Sequence, residues 1–277
     1  MNGKYYENGK KIIEYNDLSE LWRLPTYKDH SSILRSSQKI VLIVDRGNIR
    51  ASSIGEGAKD CEIYANHICA DDIFCGGNEI PPKFSEGCML YAKEIQCENL
   101  MNYCTKSACR AKSMEIKNKA GENAVGIRIL AETIRNCGDH MSLCSFGDKN
   151  IVICEAYEYC GDGYVWDGAF NSFMLVGKLK SESEKPLMCA GSNSVLVVED
   201  IDTPSSPANY FDDYLPPENS VVIDVGRASI FYSNGDKERI EGSVEDVIVK
   251  ELERRGLING SCGRKIIERF IEGDIDF

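Results

Sequence analysis

Two stretches carry the residue types that phosphate chemistry uses, at nearly the same spacing. KIVLIVDRGNIRASSIGEG (39–57) and SVVIDVGRASIFYSNGDK (220–237) each run an apolar segment into an Asp, skip one residue to a Gly, and reach Arg-Ala-Ser. In the first, Asp45 and Gly47 precede Arg50 and Ser52; in the second, Asp224 and Gly226 precede Arg227 and Ser229, without the intervening Asn48-Ile49 pair. An Asp at the end of a core strand is rigidly held and can bind a divalent cation through oxygen. The Gly lets the backbone turn and presents amides to a phosphate. Arg neutralises charge on a transferred group, and Ser adds a donor.

On this pattern the expected catalytic residues are Asp45, Asp224, Arg50 and Arg227. Asp45 and Asp224 are also the expected ligands of Mg²⁺, and Gly47, Ser52, Gly226 and Ser229 the expected ligand-binding positions. The activity that follows is divalent-metal-dependent phosphoryl transfer or phosphate-ester hydrolysis on a small phosphorylated or nucleotide substrate. It requires the two carboxylates to face one cleft, within about 10 Å of each other. A strand end followed by an ordinary turn also favours Asp, Asn and Gly, so the echo is equally what structure alone would produce. The glycine-rich GDGYVWDGAF (161–170) adds Asp162 and Trp166 as ligand-binding candidates, the indole as a stacking surface.

Other site chemistries are not supported by spacing. The 13 cysteines include no C-x-x-C pair, and none of the three histidines has another histidine at i+2 or i+4, which removes the compact zinc and iron–sulfur signatures. G-x-S-x-G and G-x-x-x-x-G-K-[ST] are absent. The alternative to an enzyme is a non-catalytic intracellular interaction or regulatory protein. It would use an acidic surface and the proline- and aromatic-rich excursion TPSSPANYFDDYLPPEN (203–219), with a protein partner or a second copy of the chain docking there.

Charge and hydropathy bound the setting. Asp and Glu number 44 against 32 Lys and Arg, a net charge of -12, which disfavours nucleic acid as a partner. No apolar run approaches the roughly 20 residues of a membrane span, and MNGKYYENGKK lacks an apolar signal core. A cytoplasmic protein is expected, its cysteines mostly reduced and buried as small hydrophobes.

The elements that must hold these residues read as an α+β fold with a mixed or mainly antiparallel sheet built from hairpins. Residues 1–38 are expected to form an N-terminal arm, with LSELWRL (18–24) as a helical turn or two. Residues 39–277 form a single domain divisible into lobes 39–140 and 141–277. Strands are expected over 39–80 and 141–200. Apolar residues at 90, 91, 95, 100, 104 and 108 lie close to helical spacing, which predicts an αα-hairpin over about 85–137. VVIDV and ASIFY predict a hairpin, Asn234-Gly235 a tight turn, and SVEDVIVKELERRG (243–256) and GRKIIERFIEG helices, the first capped by Ser243.

Overall fold

A computed structural model describes residues 3–7, 10–15, 32–44, 47–76, 84–138, 143–204 and 210–271. In chain order the strands are β1 (Gly3–Glu7), β2 (Lys10–Tyr15), β3 (Ser32–Ile33), β4 (Ile40–Val44), β5 (Asn48–Ile54), β6 (Glu62–Tyr64), β7 (His67–Ile73), β8 (Ser85–Glu86), β9 (Met89–Leu100) and β10 (Cys104–Thr105). They continue as β11 (Ala108–Ala120), β12 (Arg128–Asn136), β13 (Ile151–Tyr159), β14 (Trp166–Asp167), β15 (Phe173–Ser181), β16 (Met188–Cys189), β17 (Val195–Asp202), β18 (Val221–Asp224), β19 (Ser229–Tyr232) and β20 (Lys237–Arg239). Among the described residues, helix is confined to α1 (Val244–Arg254) and α2 (Gly260–Ile271).

The strands stack in parallel. β9 pairs with β11, β11 with β12, β12 with β13, and so on through β15 and β17 to β18. Met89, Ala108, Arg128, Ile151, Phe173, Val195 and Val221 form one column through these rungs. The chain thus returns to the same register roughly every twenty-odd residues, the period of a solenoid. This is a parallel β-solenoid, not the α+β fold of antiparallel hairpins that the sequence suggests. Antiparallel pairs stand at its two ends: β1 with β2 at one, and β18 with β19 and β20 at the other. No described helix is long and apolar enough to cross a membrane.

The αα-hairpin expected over 85–137 is replaced by β8 to β12. The cause lies in how each coil bends. Along β11 the inward residues are Cys109 and Ala111, then Met114 and Ile116, then Ala120. Steps of two along the strands alternate with steps of three and four at the bends. That mixture imitates the 3.6-residue period of a helix. The same break separates Ala131 from Ile134 in β12.

Two polar ladders hold successive turns in register. Inside, the N–H groups of Asn150, Ser172, Ser194 and Ser220 donate to the side-chain oxygens of Ser172, Ser194, Ser220 and Ser233 at 2.9, 3.3, 3.2 and 3.1 Å. Backbone donors buried at a corner therefore find acceptors one rung away. Outside, Asn171, Asn193 and Asn219 occupy the left-handed region that Asn tolerates. Their amides stack, Asn193 donating to Asn171 at 2.9 Å and Asn219 to Asn193 at 3.1 Å.

The predicted C-terminal helices form as α1 and α2, with Ser243 accepting from the Asp246 N–H. Ile248, Val249 and Leu252 of α1 and Ile267 of α2 pack on the outward residues Phe173, Leu175, Val195, Val197, Val221 and Ile223. Burial on both faces is why FMLVG, VLVV and VVI are continuous apolar runs. β11 and β12, without this cover, alternate apolar with charged residues.

Candidate functional site

Asp224 is the last residue of β18 and pairs in register with Val198, itself beneath Val176. It therefore occupies an inward column and is only 1% exposed. Its carboxylate accepts from the Tyr210 hydroxyl at 2.8 Å, from the Arg227 N–H at 3.0 Å and from Arg227 Nη1 at 2.8 Å. Arg227 Nη1 also reaches the Tyr210 oxygen at 2.9 Å, and Tyr210 packs edge-on against Phe231. The hydrogen bond to Asp224 raises the Arg227 pKa above its ordinary value. Together these contacts close the end of the solenoid core, and they occupy both carboxylate oxygens.

Gly226 lies against the preceding rung, where a Cβ would come within 2.6 Å of the Glu199 carbonyl oxygen. Close packing, rather than amides offered to a ligand, accounts for the glycine. Ser229 is buried and donates to the Arg227 carbonyl at 3.0 Å.

The first Asp-x-Gly stretch sits elsewhere. Asp45 lies outside the described residues. Gly47 joins β4 to β5, Arg50 faces outward on β5, and Ser52 is buried. β4 is eight strand-to-strand steps from β18, about 38 Å along the stack. Gly47, Arg50 and Ser52 are thus not brought together with Gly226, Arg227 and Ser229. Among the described residues no group of three or more His, Cys, Asp or Glu is arranged to hold a metal ion.

In the glycine-rich segment, Trp166 is 1% exposed and lies within β14, paired with Met188. Asp162 is exposed and lines an open groove of about 680 Å³ with Cys160, Glu182, Glu184 and Lys185. Of the excursion at 203–219, residues 205–209 lie outside the described residues, and the rest is part core and part surface. Tyr210 is buried and Phe211 bridges to Met188, whereas Tyr214 is 93% and Leu215 62% exposed.

Three features escape the sequence reading. The first is an apolar stripe at one corner. Val125 and Phe170 stand in one column of bridges with Asp148 between them. Phe146 lies on the intervening turn, its ring against Gly168, where a Cβ would meet it at 2.6 Å. Leu215 continues the same corner two turns further, its carbonyl accepting from the Ala190 N–H at 2.7 Å. Val125, Phe146 and Phe170 are each exposed.

The second is a groove of about 420 Å³ between the β19–β20 hairpin and α1, lined by Tyr232, Asn234, Asp236, Lys250, Arg254 and Arg255 among others. The Arg255 side chain is buried and bonded through Nη1 to Glu251, while its Nε and Nη2 have no partner among the described residues. Burial lowers its pKa from the ordinary arginine value. The third is a pair of outward cysteines, Cys137 and Cys160, on successive rungs.

A signal for the repeat is present: NSFMLV (171–176), NSVLVV (193–198) and NSVVID (219–224) align residue for residue. They set Asp224 beneath two valines and mark one corner of each turn. No protein-family model matches this chain, and neither does any curated protein or solved structure.

Proposed function

We propose that this protein is a non-catalytic interaction scaffold. The observation that carries the reading is the corner stripe of Val125, Phe146, Phe170 and Leu215, with the exposed Tyr214 next to Leu215 in the chain. Val125, Phe146 and Phe170 fall on three successive turns, about 4.8 Å apart along the stack, and Leu215 lies two turns further, with Asp148 and Ser192 as polar members of the same column. Apolar side chains exposed together on successive turns suit a protein partner. The net charge of -12 favours a partner segment with basic residues flanking its apolar ones. The test is selection from a displayed random-peptide library on the folded chain and on a Phe146→Ser, Phe170→Ser double variant. Enrichment of sequences with aromatic or aliphatic residues beside Lys or Arg, lost on the variant, supports the reading. Equal enrichment on both proteins, or none, overturns it.

A second reading keeps a small phosphorylated ligand but places it in the groove beside α1. It rests on Arg255, two of whose nitrogens find no partner among the described residues, which leaves a buried cation short of acceptors there. Calorimetric titration with inorganic phosphate and with ATP, on the parent and on Lys250→Ala, Arg254→Ala, separates it from the first reading. Binding weakened by the substitutions favours the groove, and the absence of binding removes it.

A further inference from the structure

We propose that Cys137 and Cys160 form a reactive dithiol that closes to a disulfide by exchange with a small cationic disulfide entering the groove beside Cys160. Of the twelve cysteines whose surroundings are described, nine are buried, where a thiol serves as a small hydrophobe. Solvent reaches Cys69, Cys137 and Cys160, and two of these three stand next to each other.

The register places them. Asn136 and Tyr159 are in-register partners of β12 and β13, and both point inward, fully buried. The next residue on each strand, Cys137 and Cys160, points outward by alternation. Cys137 N–H donates to the Ile116 carbonyl and Cys160 N–H to the Asn136 carbonyl, each at 2.8 Å, so the parallel ladder continues through both. Strand spacing sets their Cα atoms about 4.8 Å apart, inside the roughly 4.4–6.8 Å that a disulfide spans. The Cys137 thiol lies close enough to Cys160 to feel it, and so does the Arg135 guanidinium. Cys61 and Cys88 offer a contrast: they too occupy successive rungs, but both are buried in the core, beyond the reach of a reagent.

The groove supplies access and selectivity. Cys160 and Asp162 line it with Glu182, Glu184 and Lys185. The Arg135 guanidinium beside Cys160 is paired with Glu158, and the groove's three carboxylates against one ammonium draw a cationic disulfide in preference to an anionic one. In the first step the Cys160 sulfur, having released its proton, attacks one sulfur of the reagent. The reagent's S–S bond breaks, and one thiol leaves with a proton. In the second, the Cys137 sulfur attacks the Cys160 sulfur of the mixed disulfide, and the second thiol leaves with the proton Cys137 gives up. The protein dithiol loses two electrons and the reagent gains them, as one disulfide becomes two thiols.

The experiment treats the full folded chain with cystamine, blocks remaining thiols with N-ethylmaleimide and maps the cysteine peptides by mass spectrometry. The expected product is a Cys137–Cys160 linked peptide lighter by two hydrogens, with only a transient cysteamine adduct on Cys160. Cys69, whose in-register neighbours are Arg50 and Gln96, keeps its adduct or remains free for alkylation. Cys137→Ser is expected to stop at a lasting adduct on Cys160, and oxidised glutathione to react more slowly than cystamine. A lasting Cys160 adduct in the parent chain, linkage of Cys160 to any other cysteine, or an unreactive Cys160 overturns the proposal. The parent chain decides the matter even where a variant fails to fold.

Discussion

Asp224→Asn separates a structural carboxylate from a catalytic one. The substitution keeps the shape and removes the charge from a side chain that accepts three hydrogen bonds in the core. A hydrogen bond to a charged group contributes about 1.5–3 kcal/mol. The Arg227 side chain is 47% exposed, so its ion-pair share is discounted towards the roughly 0–1 kcal/mol of a surface pair. The bonds from the Tyr210 hydroxyl and the Arg227 N–H are weakened rather than lost. The expected cost is about 2–4 kcal/mol, and because solenoid turns contact only their neighbours, it falls mainly on the last rungs. Hydrogen exchange at Val221, Val222 and Ile223 should quicken roughly 30- to 1,000-fold, tenfold for each 1.4 kcal/mol, while amides of β11 and β12 hold. Magnesium should leave the exchange of both proteins unchanged. Two results would refute the reasoning: exchange at β18 unaltered by the substitution, or protection of the parent by Mg²⁺ that the variant lacks.

Three further outcomes follow from the same coil geometry. Burial pushes the Cys104 thiol up to about 11 and the Cys144 thiol up to about 12, from 9.0. The unfolded chain therefore loses these protons first, so their contribution is complete below pH 9 and declines as pH rises through 9 towards 11–12. Urea midpoints measured at about pH 8 and about pH 10 should fall, and less steeply in Cys104→Ala, Cys144→Ala. Gly191→Ala and Gly126→Ala both force alanine into the left-handed region, at φ +76° and +68°. Only Gly191 adds a clash, at 2.1 Å from the Ala169 oxygen. Gly126→Ala should cost about 1–2 kcal/mol, and Gly191→Ala about 1–3 kcal/mol more, read from denaturant midpoints. Trp166→Ala should cost about 3–5 kcal/mol, since the indole fills the core between turns. Its Nε1 has no partner among the described residues, so Trp166→Phe should cost less, and equal losses would contradict this packing.

Sequence by itself determined what neighbouring residues decide. Ser243 with Asp246 starts α1 where expected, because a cap is a contact within one turn. VVID and SIFY form their antiparallel pair across a short turn, and Asn234-Gly235 makes the next, with Gly235 at φ +93°. The expectation that cysteines fill the interior holds for nine of the twelve described. Across 85–137, inward steps of two, three and four residues imitated a helix, and local pattern had no means of excluding it.

The role of Asp224 was a question of register. Its sequence neighbourhood, an apolar run closed by Asp-Val-Gly-Arg, reads equally as a phosphate loop or a turn. Stacking beneath Val198 turns the carboxylate inward, where Tyr210 and Arg227 complete it. The same stacking sets Cys137 beside Cys160 and Phe146 against Gly168. Each of these pairs is about one turn apart in sequence and adjacent in space. Parallel pairing joins residues through whole coils of unequal length, so their contacts are fixed by the shared register of the stack and not by any local run of residues.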